Sequence, residues 1–463
     1  MTPEVATSCI IFEGHSVIHR DLVLTDEDLR LAEHLTRHEI IAVDELKQGL
    51  RISAKWSWVG VIAFSNFELQ IKPKLHAGSE NSTLAEMLDF ISDVHDLKTF
   101  QHRPRNFDAE GFSLFDLTIA SFVDACEEVV LKGILSDYVS TQDKLPVLRG
   151  RLMLLNQLKT ARFDQLECLY DDQSTNIPEN KLLLAALSTC ALRVRNRTLA
   201  SQVRRLAAIF EDAANIDDFQ FDEAYASQSQ NYNRLNAYYR RAHSLAALIM
   251  AGLSHKDIFA IGAPQSFSFL FKMSEVFEKF VTKLLTLELA TINYKVHFQK
   301  EDSHIIWNAQ TNTSHASLRP DILIENKARP GVFLPVDAKY KNYDLQIDND
   351  DDARPSEDFS QKITTPDIYQ TFAYAHGFGH GQHALIPTSI ILYLSTASDA
   401  TIKRIHVRRR LDDTASGELI VVPINIKNSL AALKQQRQTA VMTELLQAIT
   451  AALSFRSDEF PGF

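Results

Sequence analysis

Leu318-Arg319-Pro320-Asp321-Ile322-Leu323-Ile324-Glu325 is followed, after a short gap, by Phe333-Leu334-Pro335-Val336-Asp337-Ala338-Lys339-Tyr340. Both alternate. Ile322, Ile324, Leu334 and Val336 fall on one face of a pair of strands, because side chains in a strand point to opposite faces at period two. The intervening Asn326-Lys327-Ala328-Arg329-Pro330-Gly331 has the residue types of a turn. One antiparallel register then pairs Asp321 with Asp337 and Glu325 with Phe333. In that register the two carboxylates stand opposite each other, with Cβ atoms roughly 5 Å apart. Lys339 shares the face of Asp337, and Ala338 turns away.

Two carboxylates this close repel one another unless a cation lies between them. Hard oxygens suit Mg²⁺, with Mn²⁺ as a substitute, and the carbonyl of Ala338 is a further candidate ligand. A metal held there would lower the pKa of a bound water and neutralise charge developing on a phosphate. Lys339 would orient that water or stabilise the transition state. The plain alternative is a surface hairpin with a Lys–Asp pair.

Working outward, a helix is predicted over 267–290. Strands follow near 294–299, 304–307, 321–325 and 331–340, then a helix over 366–376. Strands near 389–394 and 403–409 and a last helix over 429–453 complete a mixed α/β order. Glu278 lies at helical spacing from Val281 and Leu285, on a partly apolar stripe where an unpaired carboxylate is costly. It is either an extra metal or water ligand or a residue at the edge of the core. Thr365-Pro366-Asp367 reads as a helix start, with Thr365 as cap and Pro at the first position. Gln370 and Tyr374 are one turn apart and share a face. Gln370 could hold a nucleophilic water or a phosphate, or stand as a surface amide.

Residues 1 to about 75 read as mostly β. Leu50–Lys55 and Phe67–Lys72 alternate, Trp58–Phe64 is an apolar run, and Ser65-Asn66 suits a hairpin turn. A short helix is expected from Thr25 to about His38. From about 83 to 255 the pattern is helical, interrupted by a strand around Arg149-Gly150-Arg151. The expected organisation is an N-terminal β-rich region over 1–80, a mainly helical region over 81–255 and a mixed α/β domain over 256–463.

The chain has 463 residues, with 48 Lys+Arg against 59 Asp+Glu, a net charge of −11. That length suits several domains. The acidic balance argues against a surface that grips nucleic acid throughout, but leaves room for a local basic groove or a partner that supplies the grip. Cys9, Cys126, Cys168 and Cys190 stand far apart. They form no CxxC pair and suit a reducing compartment. Neither a signal peptide nor a membrane-spanning run is read, so a cytoplasmic location is expected.

The helix–hairpin–helix set resembles the PD-(D/E)xK nuclease superfamily and, more closely, the McrC family of modification-dependent restriction systems. The residues that carry the likeness are FLFKMSEVFEKFV at 269–281, LRPDILI at 318–324, VDAKYK at 336–341 and DIYQTFAYA at 367–375. Weaker likenesses are RGR at 149–151, IPENKLL at 177–183, and Asn236 with Tyr239 in LNAYYRRA. The resemblance implies a Mg²⁺-dependent DNA endonuclease. Its catalytic and metal-binding set would be Asp321, Asp337, Lys339, Glu278 and Gln370. It further implies a GTP-hydrolysing AAA+ ring, McrB, as the partner that recognises methylated cytosine in double-stranded DNA and translocates it. The family's amino-terminal part docks in that ring and stimulates GTP hydrolysis. This chain has no GxxxxGK[ST] loop, so no nucleotide is expected to bind to it.

Other features have plainer readings. Asp348–Asp352 with Glu357-Asp358 is an acidic run expected to be a solvated loop. His376, His380 and His383 suit a Gly-rich linker better than a zinc site. Arg404, His406 and Arg408 share one strand face and could meet a DNA backbone or solvent. Arg193, Arg195, Arg197, Arg204 and Arg205 put positive charge on neighbouring helices. Trp56 and Trp58 are core or partner contacts. Three function classes stay open: a nuclease subunit of a GTP-driven complex, an autonomous nuclease of repair or defence, and a non-catalytic activator of an AAA+ partner.

Overall fold

The computed structural model describes residues 7–19, 22–46, 49–75, 80–92, 113–160, 164–194, 196–217, 219–228, 231–253, 267–290, 292–341, 363–378, 386–397, 399–410 and 414–453. The first region is β-rich, as its alternation predicts. Thr7–Phe12 pairs in parallel with Phe67–Lys72, which runs antiparallel to Trp58–Ala63. A second sheet joins Ser16–His19, Gly49–Ala54 and Ile41–Leu46. The helix Asp26–Arg37 begins with a capping box between Thr25 and Asp28. Leu31, Leu35, Ile52, Ile62, Phe67 and Leu69 form the core of this region.

The helix predicted from Phe267 begins later. Phe267–Lys272 is a strand, and the helix runs Met273–Leu289. The strand is the fourth of the first sheet, antiparallel to Trp58–Ala63. The alternating aromatics of Phe-Ser-Phe-Leu-Phe favour a strand between two apolar layers. Phe269 and Phe271 enter the large central core, and Leu270 enters the N-terminal one. The backbones approach closely at Gly60, where an added Cβ would lie 2.0 Å from the Phe269 carbonyl oxygen. The chain thus returns to the N-terminal sheet at 267–272, beyond the boundary expected near 256.

The middle region is helical where the spacing predicts it, at Leu114–Lys132, Pro178–Ala191, Arg197–Glu211 and Arg240–Leu253. It also holds a three-stranded sheet of Asp137–Leu145, Leu166–Ser174 and Arg151–Leu152. Only the last of these was expected. Asp137–Leu145 is exposed along most of its length. It therefore has no apolar face whose period could announce it.

The last region is a six-stranded mixed sheet, ordered Tyr294–Phe298, Ile322–Asn326, Phe333–Lys339, Thr388–Leu394, Ala415–Ile424 and Lys403–Arg408. Phe333–Lys339, Thr388–Leu394 and Ala415–Ile424 are mutually parallel. Ala415–Ile424 was not foreseen, although it lies inside the sheet. Helices Met273–Leu289 and Ala440–Leu453 share a core with Ile322, Ile324, Leu334 and Val336. On the other face Tyr374 and Phe378 of the helix Thr365–Phe378 pack on Leu323. The single helix expected over 429–453 is two, Ile426–Lys434 and Ala440–Leu453, and Gln436 between them adopts φ 53°.

Candidate active site

The hairpin has the predicted register. Ile322 pairs with Val336 and Glu325 with Phe333. Asp321 stands just before the first strand, and its Oδ2 accepts a hydrogen bond from the Ala338 amide at 2.8 Å. Asp337 is buried, with 2% exposure. Its Oδ2 lies 2.7 Å from Lys339 Nζ. That contact is a charge pair with the ammonium, and among the described residues Asp337 Oδ2 meets no other polar group. Lys339 Nζ donates to Gln370 Oε1 at 3.0 Å, and Gln370 Nε2 donates to Tyr374 Oη at 3.0 Å. The structure therefore brings Asp321, Asp337, Lys339 and Gln370 together.

Glu278 reaches the same end of the sheet from the Met273–Leu289 helix. Its Oε2 accepts from Gln299 Nε2 at 3.2 Å, and the Gln299 amide donates to the Asp321 carbonyl at 2.8 Å. Gln299 Oε1 accepts from Arg319 at 2.8 Å, and Tyr374 Oη donates to the Arg319 carbonyl at 3.3 Å. Six side chains thus form a polar rim in the order Lys339, Gln370, Tyr374, Arg319, Gln299 and Glu278.

Sequence reasoning did not place Gln299, Arg319 or Asp367 in the site. Asp367 is buried, 3.8 Å from Lys339 and 3.2 Å from Lys341. Thr364, not Thr365, makes the capping exchange with it. In the sequence Asp367 reads only as part of a helix start. Only the fold shows it facing two lysines.

The electrostatics follow from burial and repulsion. Burial first, then the Asp337 carboxylate, holds Asp321 well above the usual carboxylate range. Burial also raises Glu278, opposed by its bond from Gln299 and assisted by Glu275 and Asp337. For Lys339 burial opposes the charge, but Asp337, Asp367 and Asp321 more than offset it and hold the ammonium above its ordinary value. Two carboxylates sharing one corner, the buried one with an oxygen that meets only the Lys339 ammonium among the described residues, are a donor set that fits a divalent cation. Among the described residues no three His, Cys, Asp or Glu side chains converge as a metal cluster. A cation here would rest on the aspartate pair.

The other sequence candidates resolve into structure. Tyr239 Oη donates to Asn180 Oδ1 at 2.7 Å and accepts the Leu135 amide at 2.9 Å. Asn236 Nδ2 reaches Glu179 at 3.5 Å. The IPENKLL and LNAYYRRA stretches therefore meet in one buried polar joint. Gly150 of the RGR stretch has φ +70°, and a Cβ there would lie 2.4 Å from the Leu169 carbonyl. Arg149 pairs with Asp172 and lies over the Tyr170 ring. Arg193 donates to the Thr189 carbonyl, and Arg205 pairs with Glu127. Arg404 and His406 both face Glu418, at 2.8 and 3.5 Å. Trp58 packs on the N-terminal core, while Trp56 is 48% exposed with Lys74 over its ring. His376 bonds the Phe372 carbonyl. His380, His383, Arg195 and the acidic run at 348–358 lie outside the described residues. The four cysteines are free and buried. Among the described residues no helix is long and apolar enough to cross a membrane.

Fold and site define a mixed α/β protein of several sheets, with an aspartate pair, Asp337 buried and Asp321 half-buried, and a lysine at one end of the largest. The sequence matches the McrBC 5-methylcytosine restriction system component family over residues 54–387, and the chain belongs to that family. Its fold is similar to a chain in the half-complex from a tetradecameric assembly of Thermococcus gammatolerans McrB AAA+ hexamers with bound McrC. The TM-score is 0.55 at 16% identity, over 93% of this chain and 100% of that one. A chain of the Thermococcus gammatolerans McrBC complex, solved by cryo-electron microscopy, matches at 19% identity and TM-score 0.43, over 61% of this chain and 88% of that one. No curated protein matches the chain.

Proposed function

We propose that this chain is the Mg²⁺-dependent DNA endonuclease subunit of a methylcytosine-directed restriction complex, acting in the cytoplasm with an McrB-like AAA+ GTPase. The observation that carries the reading is the corner formed by Asp321, Asp337 and Lys339. It has the composition of a PD-(D/E)xK site, and Lys339 is aimed by Asp337 and Gln370. Asp321, Asp337 and the Ala338 carbonyl would hold the ion, with Glu278, bonded to Gln299, beside them rather than among its ligands. When bound, the ion supplies a Lewis acid that activates water and neutralises charge on the phosphate.

The chain's own residues perform the rest. Lys339 presents its ammonium to the attacking water or a non-bridging phosphate oxygen. Gln370 and Asp367 fix that ammonium, and Tyr374 fixes Gln370. Arg319, exposed at the rim, is placed to meet a neighbouring phosphate. The β-rich region, including Phe267–Lys272, would dock the chain in the ring and stimulate its GTPase, while the ring reads the modified base and moves the DNA.

Cleavage by wild type and Asp337→Ala tests this in Mg²⁺, on methylated and unmethylated double-stranded DNA, with and without the partner and GTP. The expected result is cutting by wild type alone, of modified DNA, with partner and GTP both present. Methylation-independent cutting by the lone chain would instead establish an autonomous nuclease. Equal cutting by Asp337→Ala would remove the site assignment.

A further inference from the structure

Glu13 is a buried carboxylate that the proposed chemistry does not use. It lies in the N-terminal region with 0% exposure. Its Oε1 accepts from the Lys74 amide at 3.0 Å and from Tyr340 Oη at 2.6 Å. Its Oε2 accepts from the Ser57 amide at 3.0 Å. No salt bridge holds it among the described residues; two amides and one phenol do. A carboxylate so buried is costly, and burial pushes it up to about 7 despite those donors.

Its partners give this carboxylate a meaning. Tyr340 follows Lys339 directly and is buried against Phe277 of the Met273–Leu289 helix. Ser57, held at φ +69°, accepts the Met273 amide on its carbonyl at 2.6 Å and the Ser274 amide on Oγ at 2.9 Å. Those amides open the helix that presents Glu278 little more than a turn later. One side chain of the N-terminal region thus fastens both arms of the candidate site. It holds the strand end carrying Asp337 and Lys339 directly, and the helix carrying Glu278 through Ser57.

We propose that Glu13 is a positioning residue for the nuclease site, which sets Lys339 through Tyr340 and ties the ring-docking region to the catalytic strand. The catalytic part of this inference rests on the nuclease reading. The mechanical part does not, and the test separates them.

The test is amide hydrogen exchange of the full-length chain, without partner, metal or DNA, for wild type, Tyr340→Phe and Glu13→Gln, with Glu13→Ala as the comparison for the last. Tyr340→Phe deletes one hydroxyl and keeps the ring on Phe277. Removing one hydrogen bond to a buried carboxylate should speed exchange at 336–341 about tenfold, while 388–394 and 415–424 keep their wild-type rates. Unchanged exchange at 336–341 in both variants, or equal acceleration across the whole sheet, would overturn the inference. Glu13→Gln, which retains an acceptor for Tyr340, should exchange more slowly than Glu13→Ala at 336–341. Equal rates in the two would also count against it. Cleavage and GTPase assays on Tyr340→Phe with the partner add a second reading. The expected result is about a tenfold loss of kcat for cleavage with unchanged GTPase stimulation. Unchanged cleavage would overturn the positioning role. Failure of wild type itself to cut would instead remove the nuclease reading, leaving the exchange experiment to decide the mechanical tie.

Discussion

Lys339 Nζ donates to Gln370 Oε1 at 3.0 Å, so the ammonium at the end of the Phe333–Lys339 strand is aimed by a helix from the opposite layer of the domain. Lys339 is 18% exposed at its side chain, and Asp337 lies on its other side. A lysine with several rotatable bonds gains direction only by such bracketing. Lys339→Ala should lower cleavage by about a hundredfold or more, because the role proposed for it is in the transition state. Gln370→Ala should cost less, since Asp337 and Asp367 still hold the charge. Single-turnover cleavage measures both, and a larger loss in Gln370→Ala than in Lys339→Ala would reverse their roles.

The aspartate pair predicts metal binding that can be read without catalysis. Mg²⁺ or Mn²⁺ should stabilise wild type by about 2–3 kcal/mol at a hundredfold excess over Kd. Asp337→Asn should show no such gain, yet fold normally, because it relieves repulsion with Asp321. Thermal unfolding with and without metal decides this. An equal metal-induced rise of Tm in Asp337→Asn would place the ion elsewhere.

Glu13 predicts a pH dependence whose sign is opposite to that of a salt-bridged carboxylate. Its ordinary value of 4.5 is raised to about 7 by burial. Between those values the folded chain keeps a proton that the unfolded chain has released, so wild type loses stability as pH rises through this window. Glu13→Gln has no proton to lose there. Its stability relative to wild type should therefore increase between pH 5 and 8, which urea unfolding at several pH values measures. His243, lowered to about 4 by burial, titrates with the opposite sign in both proteins and cancels in the difference. A flat difference would mean that Glu13 is ionised throughout.

The hairpin was legible in the sequence because two constraints met there. Alternation fixed the face of Ile322, Ile324, Leu334 and Val336, and the turn fixed the register that sets Asp321 beside Asp337. Gln370 was legible from its spacing to Tyr374. Gln299 was not, since it follows an edge strand beside Asp321 and its side chain reaches Glu278 on the helix packed over the sheet. The strand Ala415–Ile424 lay hidden for a different reason. It is almost wholly buried along its second half, as Thr388–Leu394 is, but Pro423 interrupts its apolar run and reads against a central strand.

Tyr239 shows how a resemblance can mark structure as well as chemistry. Its hydroxyl satisfies both Asn180 and the Leu135 amide inside the middle region. Tyr239→Phe leaves those two buried groups short of a partner. It should cost about 1–3 kcal/mol of stability, with the cleavage rate of the folded protein unchanged. Chemical denaturation measures the loss. A cleavage defect without one would give Tyr239 a role in the site.

The place of Phe267–Lys272 decides what truncation can show. Removing residues 1–75 looks like a clean way to separate the proposed ring docking from the proposed nuclease site. It also removes Trp58–Ala63, the strand to which Phe267–Lys272 is bonded. It takes away Glu13 and Ser57, which hold Tyr340 and the start of the Met273–Leu289 helix. Phe269, Phe271 and Leu270 would lose the layer that buries them, and an unpaired apolar strand is a template for aggregation. The truncated chain should therefore be poorly soluble and inactive for want of a fold. Circular dichroism and size-exclusion chromatography will show this. A soluble, monomeric, cooperatively unfolding chain from residue 76 would demonstrate that the mixed α/β domain stands without the N-terminal sheet, and the tie through Glu13 would then be dispensable for folding.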